Sequence, residues 1–132
     1  MPKFGKASKA HLASCTDNIQ RLLNEAIKHV DFAVTCGHRG REAQDDAFIN
    51  GFSTVTFPNS KHNSFPSRAV DIAPYINGIK WDDPEGFTYL SGIIKGISLM
   101  MEIKIRNGVD WDGDLFVKEH RFIDRPHIEE VD

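Results

Sequence analysis

No stretch of this sequence approaches the roughly 20 consecutive apolar residues that a membrane-spanning helix requires, and the opening Met1-Pro2-Lys3-Phe4-Gly5-Lys6 lacks the apolar core of an export signal. Stable membrane insertion is therefore not expected, and synthesis in the cytoplasm is. Cysteine is scarce: Cys15 and Cys36 are the only two, and their spacing fits no zinc knuckle. In a chain without an export signal they read as reduced, small, buried hydrophobes. An excess of positive charge is missing as well. With 16 Lys and Arg against 19 Asp and Glu, and no basic stripe, nothing here would neutralise a row of phosphates, so nucleic acid is not an expected partner. Repeats, low-complexity tracts and linkers are also missing. A chain of 132 residues, 40% of them hydrophobic, suits a single domain over residues 1–132 with one core.

The periodicities then order the chain. Leu12, Cys15, Ile19, Leu22, Leu23, Ala26, Ile27 and Val30 recur at steps of three and four, which predicts one amphipathic helix from Ser8 to Val30. His11 and His29, near its ends, read as exposed or capping imidazoles. Phe32–Cys36 is short, β-branched and alternating, hence a strand. Arg41–Ile49 follows as a helix stopped at Gly51. Asn77-Gly78 between apolar residues is a hairpin signal. Asp83-Pro84 opens a helix that runs through Phe87, Leu90, Ile93, Ile94, Ile97, Met100 and Met101 and is expected to lie buried at the centre. A strand over Met101–Arg106 and a turn at Asn107-Gly108 lead towards the C-terminal segment. The sum is an α+β domain, a small and mainly antiparallel sheet with two or three packed helices.

Chemistry gathers in two segments, Ser60-Lys61-His62-Asn63 through Ala69-Val70-Asp71, and Asp124-Arg125-Pro126-His127-Ile128-Glu129. Asp71 is a carboxylate inside an apolar strand, and a charge so placed costs several kcal/mol unless paired or bound to a cation. With His62 and His127 it makes the three-group set of a catalytic zinc site, in which a fourth position stays open. Asp124 is left over as a candidate general base. Pro126 suggests a bulge that turns Asp124 and His127 to one side. Arg39, between the first strand and the next helix, is where a substrate-facing group often sits. Glu119-His120 is a second metal-capable pair, ranked behind His127. Asp110, Asp112 and Asp114 alternate as in a calcium loop, but the rest of that motif does not follow, and they read as a solvated acidic turn.

Taken together, Ser60-x-His62, Ala69-x-Asp71 and Asp124-x-Pro126-His127-x-Glu129 resemble the zinc D-Ala-D-Ala carboxypeptidase family in its VanY-like branch, above all small phage endolysins of the L-alanyl-D-glutamate peptidase type. Gly37-His38-Arg39 with Gln44 and Gly51, and Gly108-Val109-Asp110-Trp111, are similar to further elements of that family, so the resemblance runs from about Phe32 to Glu129. There are departures: the interval from His62 to Asp71 is longer than in the common motif, His38 stands in place of tyrosine, and Asp124 in place of glutamate. The shorter carboxylate fits the endolysin branch.

The resemblance implies Zn2+ as cofactor and a peptidoglycan stem peptide as substrate. It implies hydrolysis of the L-Ala to D-Glu amide during host lysis, with Asp124 as base and Arg39 stabilising the oxyanion. Ser60, Gln44 and Glu129 are implied as substrate contacts or supports for the ligands. A monomer is expected, without a separate cell-wall-binding domain, reaching the wall through a pore made by another protein. A D-Ala-D-Ala carboxypeptidase or dipeptidase, and a zinc-stabilised peptidoglycan-binding module without activity, are the competing readings.

Overall fold

The computed structural model describes residues 2–119 and 123–132. Helices α1 (Lys6–Ala13) and α2 (Asp17–Ala26) lead into strand β1 (Phe32–Cys36) and helix α3 (Arg41–Ile49). A single 3-10 turn, Lys61–Asn63, precedes β2 (Ala69–Pro74), then α4 (Pro84–Met100), β3 (Ile105–Asn107), a second 3-10 turn at Val117–Glu119, and β4 (His127–Glu130). The strands form one antiparallel sheet in the order β1-β2-β4-β3. This is the α+β class expected, with four α-helices among the described residues where two or three were foreseen.

The extra helix comes from a break in the predicted Ser8–Val30 helix. Thr16 is extended and caps α2, its hydroxyl accepting from the Ile19 amide. Around it the backbone pairs with another segment: the Thr16 amide donates to the Ser67 carbonyl at 3.0 Å and the Ser67 amide to the Ser14 carbonyl at 2.8 Å. Leu12, Ile19, Leu22, Leu23 and Ala26 are nevertheless all buried in one core. Because both helices face that core, the apolar period runs straight through the break and hides it.

One face of the sheet, with Phe32, Val34, Val70, Ile72 and Ile128, closes on this core together with Leu90 and Ile94 of α4. Asp83 caps α4 through its carboxylate and Pro84 takes the first turn, as predicted. The helix is not buried all round: Tyr89, Leu99 and Met100 are exposed, so it covers the sheet from outside. Asn77 and Gly78 take positive φ in a tight turn, but only the single bridge Tyr75 to Ile79 follows, without a further strand. The strand expected over Met101–Arg106 starts later, at Ile105, after a turn with Glu102 at φ 59. Gly51 ends α3 at φ +80, as foreseen. Among the described residues no helix is long and apolar enough to cross a membrane.

Candidate metal centre

The face of the sheet opposite the core carries the chemistry. Strand alternation puts Val70 and Ile72 into the core and Asp71 on the other side, and likewise Ile128 against His127 and Glu129. The register makes Asp71 the direct partner of His127 on β4 and of Cys36 on β1. Directly opposed residues have Cβ atoms about 5 Å apart, so pairing alone brings two of the three candidate ligands together. The third arrives on the 3-10 turn. Ser60 caps that turn, accepting from the His62 amide at 3.2 Å, while the Asn63 side chain accepts from the Ser60 amide.

His62, Asp71 and His127 each offer an atom within 4.8 Å of the others, a group that could bind a metal. His62 Nε2 lies 3.3 Å from Asp71 Oδ1, and His127 Nδ1 lies 3.6 Å from the same oxygen. Ligand bonds of about 2 Å at tetrahedral angles call for separations of about 3.3 Å. The remaining ring nitrogens are committed. His62 Nδ1 donates to the Gly37 carbonyl at 2.7 Å and His127 Nε2 to Glu129 Oε1 at 2.8 Å. Since a carbonyl and a carboxylate only accept, the inward nitrogens are the ones left to bind. Two oriented imidazoles and a carboxylate, with a supporting partner for each ring, fit a zinc ion.

The electrostatics agree. Burial disfavours a charged His62, yet hydrogen bonding to Asp71 and Cys36 more than offsets it and pushes the imidazole up to about 10. His127 is likewise disfavoured by burial and raised overall by Asp71 and Glu129. Burial works against the Asp71 carboxylate, but the two imidazoles hold it well below the usual range. The pocket thus seeks positive charge beside Asp71. Asp124 behaves differently: burial first, then the nearby charge of Asp71, raise it above the ordinary aspartate value, the direction a proton acceptor needs.

Asp124 Oδ2 is 3.9 Å from His127 Nδ1, beside the triad and outside it. No bulge places it there. The predicted bulge at Pro126 is instead a turn, in which the His127 amide donates to the Asp124 carbonyl at 3.1 Å, and β4 begins only at His127. The bulge lies in β1, between Val34 and Cys36, and turns Cys36 from the core side towards His62. Cys36 is accordingly half-buried with its Sγ 3.7 Å from Arg39 Nη2, whereas Cys15 is buried as expected. Arg39 Nη2 reaches to 3.6 Å from Asp71 Oδ2. Gln44, fully buried, accepts from Arg39 Nη1 at 2.9 Å and donates to the Val55 carbonyl. It supports Arg39 and does not face the cleft.

His120 lies outside the described residues. His11 is half-buried, and His29 is exposed beside Glu25 at 3.6 Å. The carboxylates of Asp110, Asp112 and Asp114 accept from the Leu115, Asp114 and Phe116 amides respectively, an acidic turn tied to its own backbone. Four residues that the sequence reading named without a role also contribute. Asn63 donates to the Arg39 carbonyl and to Gln44, and its place next to His62 was the available signal. The Gly37 carbonyl holds His62, and a Cβ at Gly37 would meet the His11 carbonyl oxygen at 2.3 Å. Gly108 abuts the Asp124 carbonyl oxygen, where a Cβ would stand 2.2 Å away. Trp111 tilts against the His127 ring at 5.5 Å.

Comparison with known proteins places the chain in a family and a fold. Residues 1–131 match the family model described as phage L-alanyl-D-glutamate peptidase. The L-alanyl-D-glutamate peptidase of Escherichia phage T5 is 34% identical over 113 residues, spanning 83% of this chain and 82% of that protein. The solved structure of the Serratia marcescens L-Ala D-Glu endopeptidase ChiX shares the fold at a TM-score of 0.75 and 20% identity, covering 98% of this chain and 90% of that one.

Proposed function

We propose that this chain, which belongs to the phage L-alanyl-D-glutamate peptidase family, hydrolyses the L-Ala to D-Glu amide of peptidoglycan stem peptides with one zinc ion held by His62, Asp71 and His127. The observation that carries the reading is the convergence of two oppositely oriented imidazoles on one carboxylate, with a raised carboxyl group 3.9 Å from the second ring.

A zinc ion held by His62, Asp71 and His127 would supply Lewis acidity and make water a competent nucleophile near neutral pH. Asp124 accepts the proton of the attacking water and returns it to the amine of D-glutamate as the C–N bond breaks. Arg39, held by Gln44 and by its own carbonyl's bond to Asn63, donates to the oxygen on which negative charge develops. Such a donor contributes on the order of 10²–10³ in rate. Ser60 fixes the turn that carries His62, and Glu129 fixes the ring of His127. The enzyme works as a monomeric endolysin that reaches the wall through a separate pore protein.

The test is digestion of purified peptidoglycan with mass analysis of the new ends, alongside elemental analysis of the protein. New D-Glu amino termini and one zinc per chain are expected. Release of D-alanine in their place would move the activity to the carboxypeptidase reading. A protein that holds zinc and leaves peptidoglycan intact would be a binding module.

A further inference from the structure

We infer that Arg125 reads the free α-carboxylate of the D-glutamate residue on the leaving side of the scissile amide, an assignment that rests on the function proposed above. The cleft has two parts. One, lined by Arg39, Ser60, Lys61, His62 and His127, holds two of the three proposed metal ligands. The other is a cavity of about 520 Å³, lined by Trp81, Pro84, Phe87, Arg125 and Pro126 among others. Asp124 and Phe52 border both, so the proposed base stands at their junction.

The cations of the first part already have partners. Arg39 lies against Asp71 and Gln44, and Lys61 Nζ is 3.8 Å from Glu129. Arg125 differs. Among the described residues it takes part in no ion pair, and its Nε is buried without a hydrogen-bond partner. A buried donor left unmatched is a cost unless a ligand meets it. Arg125 and Pro126 are also the central residues of the turn closed by the His127 amide on the Asp124 carbonyl, so the backbone carrying Arg125 is fixed relative to the base.

The substrate supplies the matching group. In an L-Ala to D-Glu amide with γ-linked glutamate, the carbon bearing the scissile nitrogen also bears a free carboxylate, while the alanine side carries none. Asp124 returns its proton to that nitrogen, so the carboxylate two bonds away falls near Asp124 on the leaving side. A guanidinium fork suits a planar carboxylate, and the pairing is charge-assisted. The stacked pair Trp81 and Phe87, with ring centroids 6.1 Å apart, walls the same cavity.

The experiment compares two stem peptides that differ only at this group, one with the α-carboxylate and one with the α-carboxamide of D-isoglutamine. The wild-type zinc protein should favour the carboxylate by about 10- to 100-fold in kcat/KM, the range of a hydrogen bond to a charged group. Arg125→Gln should lose that factor on the carboxylate peptide alone and cut the carboxamide at the wild-type rate, with zinc content unchanged. Arg125→Lys, which keeps the charge without the fork, should retain part of the preference and serves equally where the glutamine variant folds poorly. Equal losses on both peptides, or a wild type that does not discriminate, would overturn the assignment. A wild type that cuts neither peptide overturns the hydrolase reading itself, so the two failures are told apart.

Discussion

Asp71 and His127 stand on paired strands, whereas Arg39, His62 and Asp124 come from segments without a ladder, and the two groups are held by different means. The strand pair is set by register: Asp71 faces His127 because Val70 faces Ile128, and both of those are locked in the core. The loop group is set one hydrogen bond at a time. His62 depends on Ser60 and the Gly37 carbonyl, Arg39 on Gln44 and on the bond of its own amide to the His62 carbonyl, and Asp124 on its amide's bond to the Gly108 carbonyl. Core packing therefore guards half of the centre cooperatively, and the other half is open to single substitutions.

The sharpest way to break this contrast is to remove a strand ligand. His127→Ala or Asp71→Ala should abolish both zinc binding and peptidoglycan cleavage, read by elemental analysis and a turbidity assay; a variant that keeps zinc would remove that residue from the ligand set. Asp124→Asn should next lower kcat by about 10²–10⁴ while zinc stays bound. Retained activity there would mean that the base is elsewhere. The supports should separate by what they hold. Glu129→Gln should weaken zinc affinity by about 10- to 100-fold through His127. Gln44→Ala should leave zinc affinity alone and reduce kcat, since its partner is Arg39. An equal fall in zinc affinity for both would erase the distinction.

The smallest expected effect is in the pH dependence of the chelated protein. His62 is raised from 6.5 to about 10 and His127 is also raised, so their stabilisation is fully present below pH 6.5 and is lost as pH climbs towards 10. Asp71 and Glu129 are lowered, so theirs is present above the ordinary carboxylate range and is lost as pH falls. Thermal unfolding of the metal-free protein should peak in Tm on the acid side of neutrality and decline towards pH 10. Zinc, which needs neutral imidazoles, should flatten that decline and release protons on binding. A metal-free protein whose Tm is level from pH 6.5 to 10 would contradict the coupling of the imidazoles to Asp71.

Much of this could be read beforehand, for identifiable reasons. A carboxylate between Val70 and Ile72 announces itself, because burial without a partner is so costly. The cap at Asp83 and the stop at Gly51 are local chemistry and came out as expected. What escaped was whatever depends on backbone groups. The break at Thr16 is stabilised by Ser67, 51 residues away, through amides that every sequence possesses. The Gly37 carbonyl has no signature of its own. For Gln44 the residue type left substrate contact and support equally open, and only its burial and its bond to Arg39 separate the two. The bulge was foreseen at a proline and found in β1, where nothing in Phe32–Cys36 marks it.

The opposite choice of nitrogen in the two imidazoles makes them levers of unequal length. His127 presents Nδ1, next to its ring's attachment, and His62 presents Nε2, at the far tip. Strand β4 therefore stands close behind the point where the three groups converge, and the 3-10 turn reaches in at arm's length. A given shift of the β4 backbone moves its donor atom almost one for one, whereas the turn can pivot its ring to compensate, so the sheet is the anvil of this centre and the loop its adjustable jaw.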